Sequence, residues 1–220
     1  MNSVGTVASL QQRISEMQPL ELDDRALPTA AGLRPLLPGG ALRRGSSYAV
    51  QGSRQLALAL LAEPSAAGSW CGIIGCDTLG AEAAASLGVA LDRCAVVPRP
   101  GEFAVGIAGS LAEVVTVVLL AAPRGARSRV SGGDAERIAA RLREHGSALV
   151  VLGDWPRTES VLRVTSSRWH GLGAGSGLLG GRDLTVESHD RRGVRQHTVR
   201  FGDGPVQQVP RTAPPVLVPL

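Results

Sequence analysis

A chain of 220 residues, 44% hydrophobic and only 3% aromatic, with a formal charge of +4, suits one globular domain with tails. The charge is too modest and too spread out to mark a dedicated nucleic-acid binder. No run reaches the roughly 18 to 20 apolar residues of a membrane span, and the first residues lack a basic, apolar leader pattern, so a cytoplasmic protein is expected.

Every basic side chain is arginine, and the chain contains no lysine. Abundant alanine, glycine and arginine without lysine reads as the product of a GC-rich genome, so part of the arginine bias is mutational. Cys71, Cys76 and Cys94 are odd in number, lie in apolar surroundings and match no zinc-ligand spacing, which predicts buried, reduced thiols.

Residues 1–24 read as an amphipathic helix. Val7, Leu10, Ile14 and Met17 recur at spacings of three, four and three, with polar residues between them and Pro19 at the end. That face can pack on its own domain, on a second copy or on a partner. Residues 27–45 are punctuated by Pro28, Pro35, Pro38 and the Gly39–Gly40 pair into turns around one short helical piece.

From there strand and helix alternate. Residues 46–50 (SSYAV) form a first strand, followed by a tight loop at Gly52 and the helix RQLALALLA. A second strand is expected over 69–77 and a second helix ending near Gly88. CAVVP follows as a third strand and EFAVGIAGSLA as a third helix. The β-branched run 113–123 predicts a central strand buried on both faces. The helix DAERIAARLREHG is expected to be capped by Asp134 and stopped by Gly146, before a fifth strand, ALVVLGDW. The alternation predicts an α/β fold with a mostly parallel, doubly wound sheet flanked by helices. After Leu162 the character changes: DLTVESHD and VRQHTVRF alternate about Arg191–Arg192–Gly193, a C-terminal antiparallel β-hairpin. Residues 204–220 are proline-rich and expected to be extended or disordered. Their apolar end (Val216, Leu217, Val218, Leu220) can act as a docking peptide.

Motifs in this order resemble a known family. L-P-T and L-L-P-G-G before the first strand, L-G-V-x-L-D-R-C-x-V-V-x-P over 87–98 and the closing hairpin are together similar to the RecA-like ImuA family of bacterial mutagenic translesion-synthesis systems. The resemblance covers roughly 27–201 and implies a RecA-like core over 25–203. It further implies membership of a DNA-damage-induced mutasome, with an ImuB-type Y-family polymerase homologue and an error-prone C-family polymerase as partners, bound directly or through the homologue. Self-association or contact with RecA is a further possibility, and the implied location is the cytoplasm, at the nucleoid when in complex.

A phosphate loop needs glycine spacing for its backbone cradle, a lysine for the phosphates and a Ser/Thr for magnesium. Here the loop is reduced to Gly52, Ser53, Arg54 and Gln55, and arginine does not replicate the lysine's point charge. The strand that would offer a metal-binding acid ends in Ala121 and Ala122, leaving Asp77 as the nearest relic of an acidic group. ATP hydrolysis, nucleotide cofactors and metal ions are therefore not expected. Gly175, Gly177 and Gly180 satisfy G-x-G-x-x-G but lead into a strand, so they read as a loop and not a dinucleotide fingerprint. Resemblance to RecA would place DNA-contacting loops at 124–133 and 154–160. The first keeps Arg124, Arg127 and Arg129, a candidate group for weak, sequence-independent phosphate contact. His145, His170, His189 and His197 have no metal or triad spacing, so a catalytic residue is not expected. The sequence thus reads as a non-enzymatic scaffold, the alternatives being a RecA-like ATPase or a modulator of RecA filaments.

Overall fold

Short apolar runs bounded by glycine and polar residues give the strands of the computed structural model, which describes residues 24–122, 130–171, 180–202 and 204–210. β1 (Ser47–Gln51), β2 (Cys71–Ile74), β4 (Val117–Ala121) and β5 (Ala148–Leu152) are buried along nearly their whole length. With the partly exposed edge strand β3 (Cys94–Val97) they form the parallel part of one sheet, in the order β3-β2-β4-β5-β1. Strands buried on both faces carry continuous Val/Ile/Leu rather than alternation, as seen here.

The helices divide between the two faces. α1 (Arg54–Ala66) buries Leu56, Leu58, Leu60 and Leu61, and shares one core cluster with Ala84 of α2 (Ala81–Ser86) and with Leu33, Leu36 and Leu37. α3 (Ala104–Leu111) and α4 (Gly132–His145) share the other with Val118, Leu120, Leu149 and Val151. Each fully buried leucine contributes about 1.5–3 kcal/mol of transfer free energy, so these two layers dominate stability. The sheet is doubly wound, as the alternation predicts.

Several boundaries move for local reasons. The run expected as a strand from 113 starts only at Val117, because Glu113, Val114 and Val115 turn out of α3 through bonds to Ser110 and Leu111 carbonyls. The second strand is confined to Cys71–Ile74, with Gly75 at φ +77° ending it. The cap of α4 is Ser131, not Asp134: its Oγ accepts from the Asp134 N–H at 3.0 Å and donates to the Asp134 carboxylate. Asp134 is the third helical residue and completes the capping pair. Gly146, at φ +64°, closes the helix as expected.

The sheet continues past β1. β6 (Ser160–His170) lies parallel to β1, then β7 (Gly181–Asp190), β8 (Gly193–Gly202) and β9 (Gly204–Val209) follow antiparallel, making nine strands among the described residues. β7 and β8 are the expected hairpin, with Asp190 paired to Gly193. β6 is an addition to the sequence reading. So is β9: the segment read as a tail from 204 begins as an edge strand, and the ordered sheet reaches beyond the boundary expected at 203. It is held down by the 3-10 stretch Ala31–Leu36, where Gly32 meets the Val206 backbone. The crossover 153–159 between β5 and β6 carries no helix, and buried Trp155 covers the sheet with the α3/α4 cluster.

Candidate functional site

In an open α/β sheet, ligands sit at the carboxyl ends of the strands. Here that rim gathers Gln51 and Gly52 at the end of β1, Ala121 and Ala122 at the end of β4, and Asp154 after β5. Gly52 stands at φ +87°, and a Cβ there would lie 3.3 Å from the Val164 Cβ on β6. It is a tight turn that only glycine takes without strain. Ser53 is the N-cap of α1: its Oγ accepts from the Leu56 N–H at 3.1 Å.

The polar side chains around this turn bind one another. Gln51 donates to Asp154 Oδ1 at 2.6 Å and accepts from Arg163 Nε at 2.8 Å. Arg54 Nη1 donates to the Thr78 hydroxyl at 2.7 Å and to its carbonyl at 3.1 Å, which draws the guanidinium toward the loop after β2. Gln55 accepts from Arg182 Nη1 at 3.2 Å. Arg182 also donates to Ser167 Oγ at 2.8 Å and stacks 4.8 Å from the centre of the Trp169 ring, a contact worth about 0.5–1 kcal/mol at an exposed site. The ends of β2, β4 and β5 close through small residues: a Cβ on Gly75 would lie 3.3 Å from the Ala121 Cβ, and one on Gly153 2.8 Å from that of Ala122. Asp77, next to Thr78, is exposed. A magnesium–nucleotide fits these residues poorly: the rim offers no lysine and no carboxylate on β4, and Arg54 is turned to Thr78.

The structure therefore brings Gly52, Ser53, Arg54 and Gln55 together with five residues missed by sequence reasoning: Gln51, Asp154, Arg163, Thr78 and Arg182. They are far apart in the chain and belong to no motif. Val7, Leu10, Ile14 and Met17, the arginines Arg124, Arg127 and Arg129, and Val216, Leu217, Val218 and Leu220 lie outside the described residues. So do Gly175 and Gly177, whereas Gly180 runs straight into β7, a strand.

Cys71 and Cys76 are buried and Cys94 is half-buried; all three are free thiols. Burial pushes Cys71 up to about 12, and it raises the other two as well, which makes them inert packing groups. No group of His, Cys, Asp or Glu suited to a metal ion occurs among the described residues. Nor is any described helix long and apolar enough to cross a membrane.

On the open face of the antiparallel strands, Arg200 grips Asp183 with two bonds of 2.7 and 2.8 Å. His170 Nε2 stands 2.9 Å from Asp183 Oδ2, close enough for an ion pair but without a hydrogen bond's alignment. The Arg200 hydrogen bonds lead in lowering the Asp183 pKa to about 2. A lowered pKa stabilises the fold in full above the ordinary carboxylate value of about 4, and the gain is lost as pH falls toward 2. Acid titration of unfolding free energy should therefore fall across this window, and Asp183→Asn should flatten that part of the curve.

The family described as the MT3502 N-terminal domain matches residues 35–157. An uncharacterized protein of Mycobacterium tuberculosis (strain ATCC 25618 / H37Rv), Rv3395c, is 37% identical over 123 residues, covering 54% of this chain. The match spans 59% of that relative's length. Among solved structures, the KaiC-like protein PH0186 of the archaeon Pyrococcus horikoshii OT3 superposes with a TM-score of 0.56. That match covers 84% of this chain and 99% of the archaeal one at 12% identity, and so speaks for a RecA/KaiC-like fold alone.

Proposed function

This chain belongs to the MT3502 N-terminal domain family, and from that premise we propose that it is a non-enzymatic accessory protein of ImuA type. In this reading it serves a DNA-damage-induced mutasome by contacting an ImuB-type Y-family polymerase homologue and an error-prone C-family polymerase. The observation that carries the reading is the knot at the sheet's carboxyl end. Gln51, Asp154 and Arg163 satisfy each other, Arg54 is committed to Thr78, and Gln55 to Arg182. The fold that cradles nucleotides in other proteins here spends the corresponding side chains on itself. Function then falls to surfaces: the amphipathic segment with Val7, Leu10, Ile14 and Met17, the exposed β3 edge, and the apolar residues at 216–220. DNA contact through Arg124, Arg127 and Arg129 would be weak and indifferent to sequence.

Two measurements test this. Isothermal titration of the whole protein with Mg-ATP should give no saturable heat, and micromolar binding would overturn the reading in favour of an ATPase. Co-expression with the polymerase homologue should give a complex that survives gel filtration, whereas co-purification with RecA alone would favour a filament modulator. The tail is best tested by deleting 211–220, since a cut at 205 would also remove β9. Undiminished partner binding would exclude the tail as a docking peptide.

A further inference from the structure

The sheet has ends of opposite charge. Strands β6, β7 and β8 lie toward one end, and the stretch 160–202 that forms them holds seven arginines against three carboxylates. At the other end, residues 63–113 run from the last turn of α1 through β2, α2, β3 and α3, and hold six carboxylates against two arginines. All six of those acidic residues are exposed. Five of the seven exposed large hydrophobic side chains among the described residues, Trp70, Leu91, Val96, Phe103 and Val114, belong to or adjoin the same acidic end. Apolar side chains clustered within a charged rim mark a protein–protein contact.

Three of the five stand in a row across the amino ends of neighbouring strands. Cys71 on β2 is in register with Cys94 on β3 and with Val117 on β4, so Trp70 sits between Arg93 and Thr116. The Thr116 N–H donates to the Trp70 carbonyl at 2.9 Å, and the Arg93 guanidinium lies 5.8 Å from the centre of the Trp70 ring. Leu91 comes two residues before Arg93, and Val114 two before Thr116. With strands about 4.8 Å apart, the row spans roughly 10 Å. Val114 is 74% exposed. Acids bracket the row: Asp92 follows Leu91, and Glu113, paired with Arg141 at 3.3 Å, precedes Val114. α1 and α3 also end here, at Ala66 and Leu111, and their carbonyl ends add negative potential.

β3 is poorly suited to pairing with a further strand. It has four residues, Pro98 follows it directly and Pro100 comes next but one, which is how natural sheets blunt an edge. An occupant therefore packs through side chains. A second copy of this chain offers no matching surface at its basic end. The remaining exposed hydrophobics, Trp169 and Val194, are in register with Arg182 and His189 on β7, so they stand roughly 23 Å apart and form no row. Arg195 and Arg200 of that end are committed to Asp190 and Asp183.

We propose that the Leu91–Trp70–Val114 row is the docking surface for a different protein, which presents an amphipathic helix with an apolar ridge flanked by lysine or arginine. The ridge covers the row, and its cations face Asp92, Glu113 and the ends of α1 and α3. Trp70, with Arg93 stacked on it, is the central anchor, since tryptophan and arginine dominate contact energies. The local match of sign steers a basic partner to this end although the whole chain is positive. The inference rests on the accessory-protein reading and assigns its partner contact to one surface.

The test is gel filtration and a binding titration of the full chain with the polymerase homologue as probe. Trp70→Ser with Val114→Ser should weaken the complex by about tenfold or more, and Asp92→Arg with Glu113→Gln by several-fold. All four side chains are exposed, so the urea midpoints should match the parent and show that both variants fold. A parent complex that either variant forms equally well would overturn the inference and leave the accessory reading standing. Tighter binding by the charge variant would overturn it too, because the occupant would then be acidic. If the parent chain forms no complex, the accessory reading falls and the inference with it. Sedimentation of the chain alone should show one species at all concentrations. Self-association that Trp70→Ser abolishes would overturn the inference by identifying the occupant as a second copy.

Discussion

Replacing Trp155 with alanine should cost about 3–5 kcal/mol of unfolding free energy and lower the melting midpoint by roughly 10 °C. The reason lies in the crossover 153–159. Parallel strands are usually joined by a helix that covers the sheet between them. Here the chain passes from β5 to β6 around β1 without one, and Trp155 joins the cluster with Ile138, Leu149 and Val151 instead. A domain with a total stability of about 5–15 kcal/mol feels such a loss severely. Urea unfolding followed by circular dichroism measures it. Fluorescence gives an independent sign, since Trp155 is 8% exposed while Trp70 and Trp169 are 48% and 53% exposed. The variant should lose the blue-shifted part of the emission. A cost below about 1 kcal/mol would mean that the indole is not part of the core.

Gly32→Ala should release β9. An alanine Cβ at this position would lie 2.2 Å from the Val206 carbonyl oxygen, 2.6 Å from its carbon and 2.8 Å from the Gln207 nitrogen. Backbone meets backbone there, so no rotamer relieves the clash, and overpacking of this kind costs about 1–3 kcal/mol or more. β9 is a short edge strand, paired only to β8 through Thr198, Val199, Arg200 and Gly202. Peeling it away costs less than moving the Ala31–Leu36 stretch, which is anchored by buried Leu33 and Leu36. Amide exchange at Val206–Gln208 should therefore rise by about tenfold or more while α4 keeps its protection. Equal loss of protection in α4 would show instead that β9 unfolds with the whole domain.

Much of the architecture was legible because it is written locally. A helix at 132–145 follows from its apolar spacing and from Gly146, although the cap was read one turn late: Ser131 and Asp134 both suit that position, and only geometry separates them. β4 was read too long because Glu113–Val115 has strand composition while its amides bond back into α3. β6 was not recognised because it lacks a uniform period. Its first residues alternate between buried and exposed, and from Thr165 to Trp169 it is solvated throughout. β9 hid inside a proline-rich segment, where Pro205 argues against a strand except at an edge, which is where it lies.

The phosphate loop shows the same division. The amino-acid sequence by itself determined that no lysine, no second loop glycine and no acid at the end of β4 exist, because these are absences of residue types at readable positions. It could not say where the remaining polar groups point. Gln51 finds Asp154 and Arg163, and Gln55 finds Arg182, across about a hundred residues of chain, once β5, β1, β6 and β7 lie side by side. Local pattern fixes which strands and helices form, since propensity and periodicity act over a few residues. Which side chains neutralise one another at the sheet's rim is set by strand order, and strand order is a property of the assembled core.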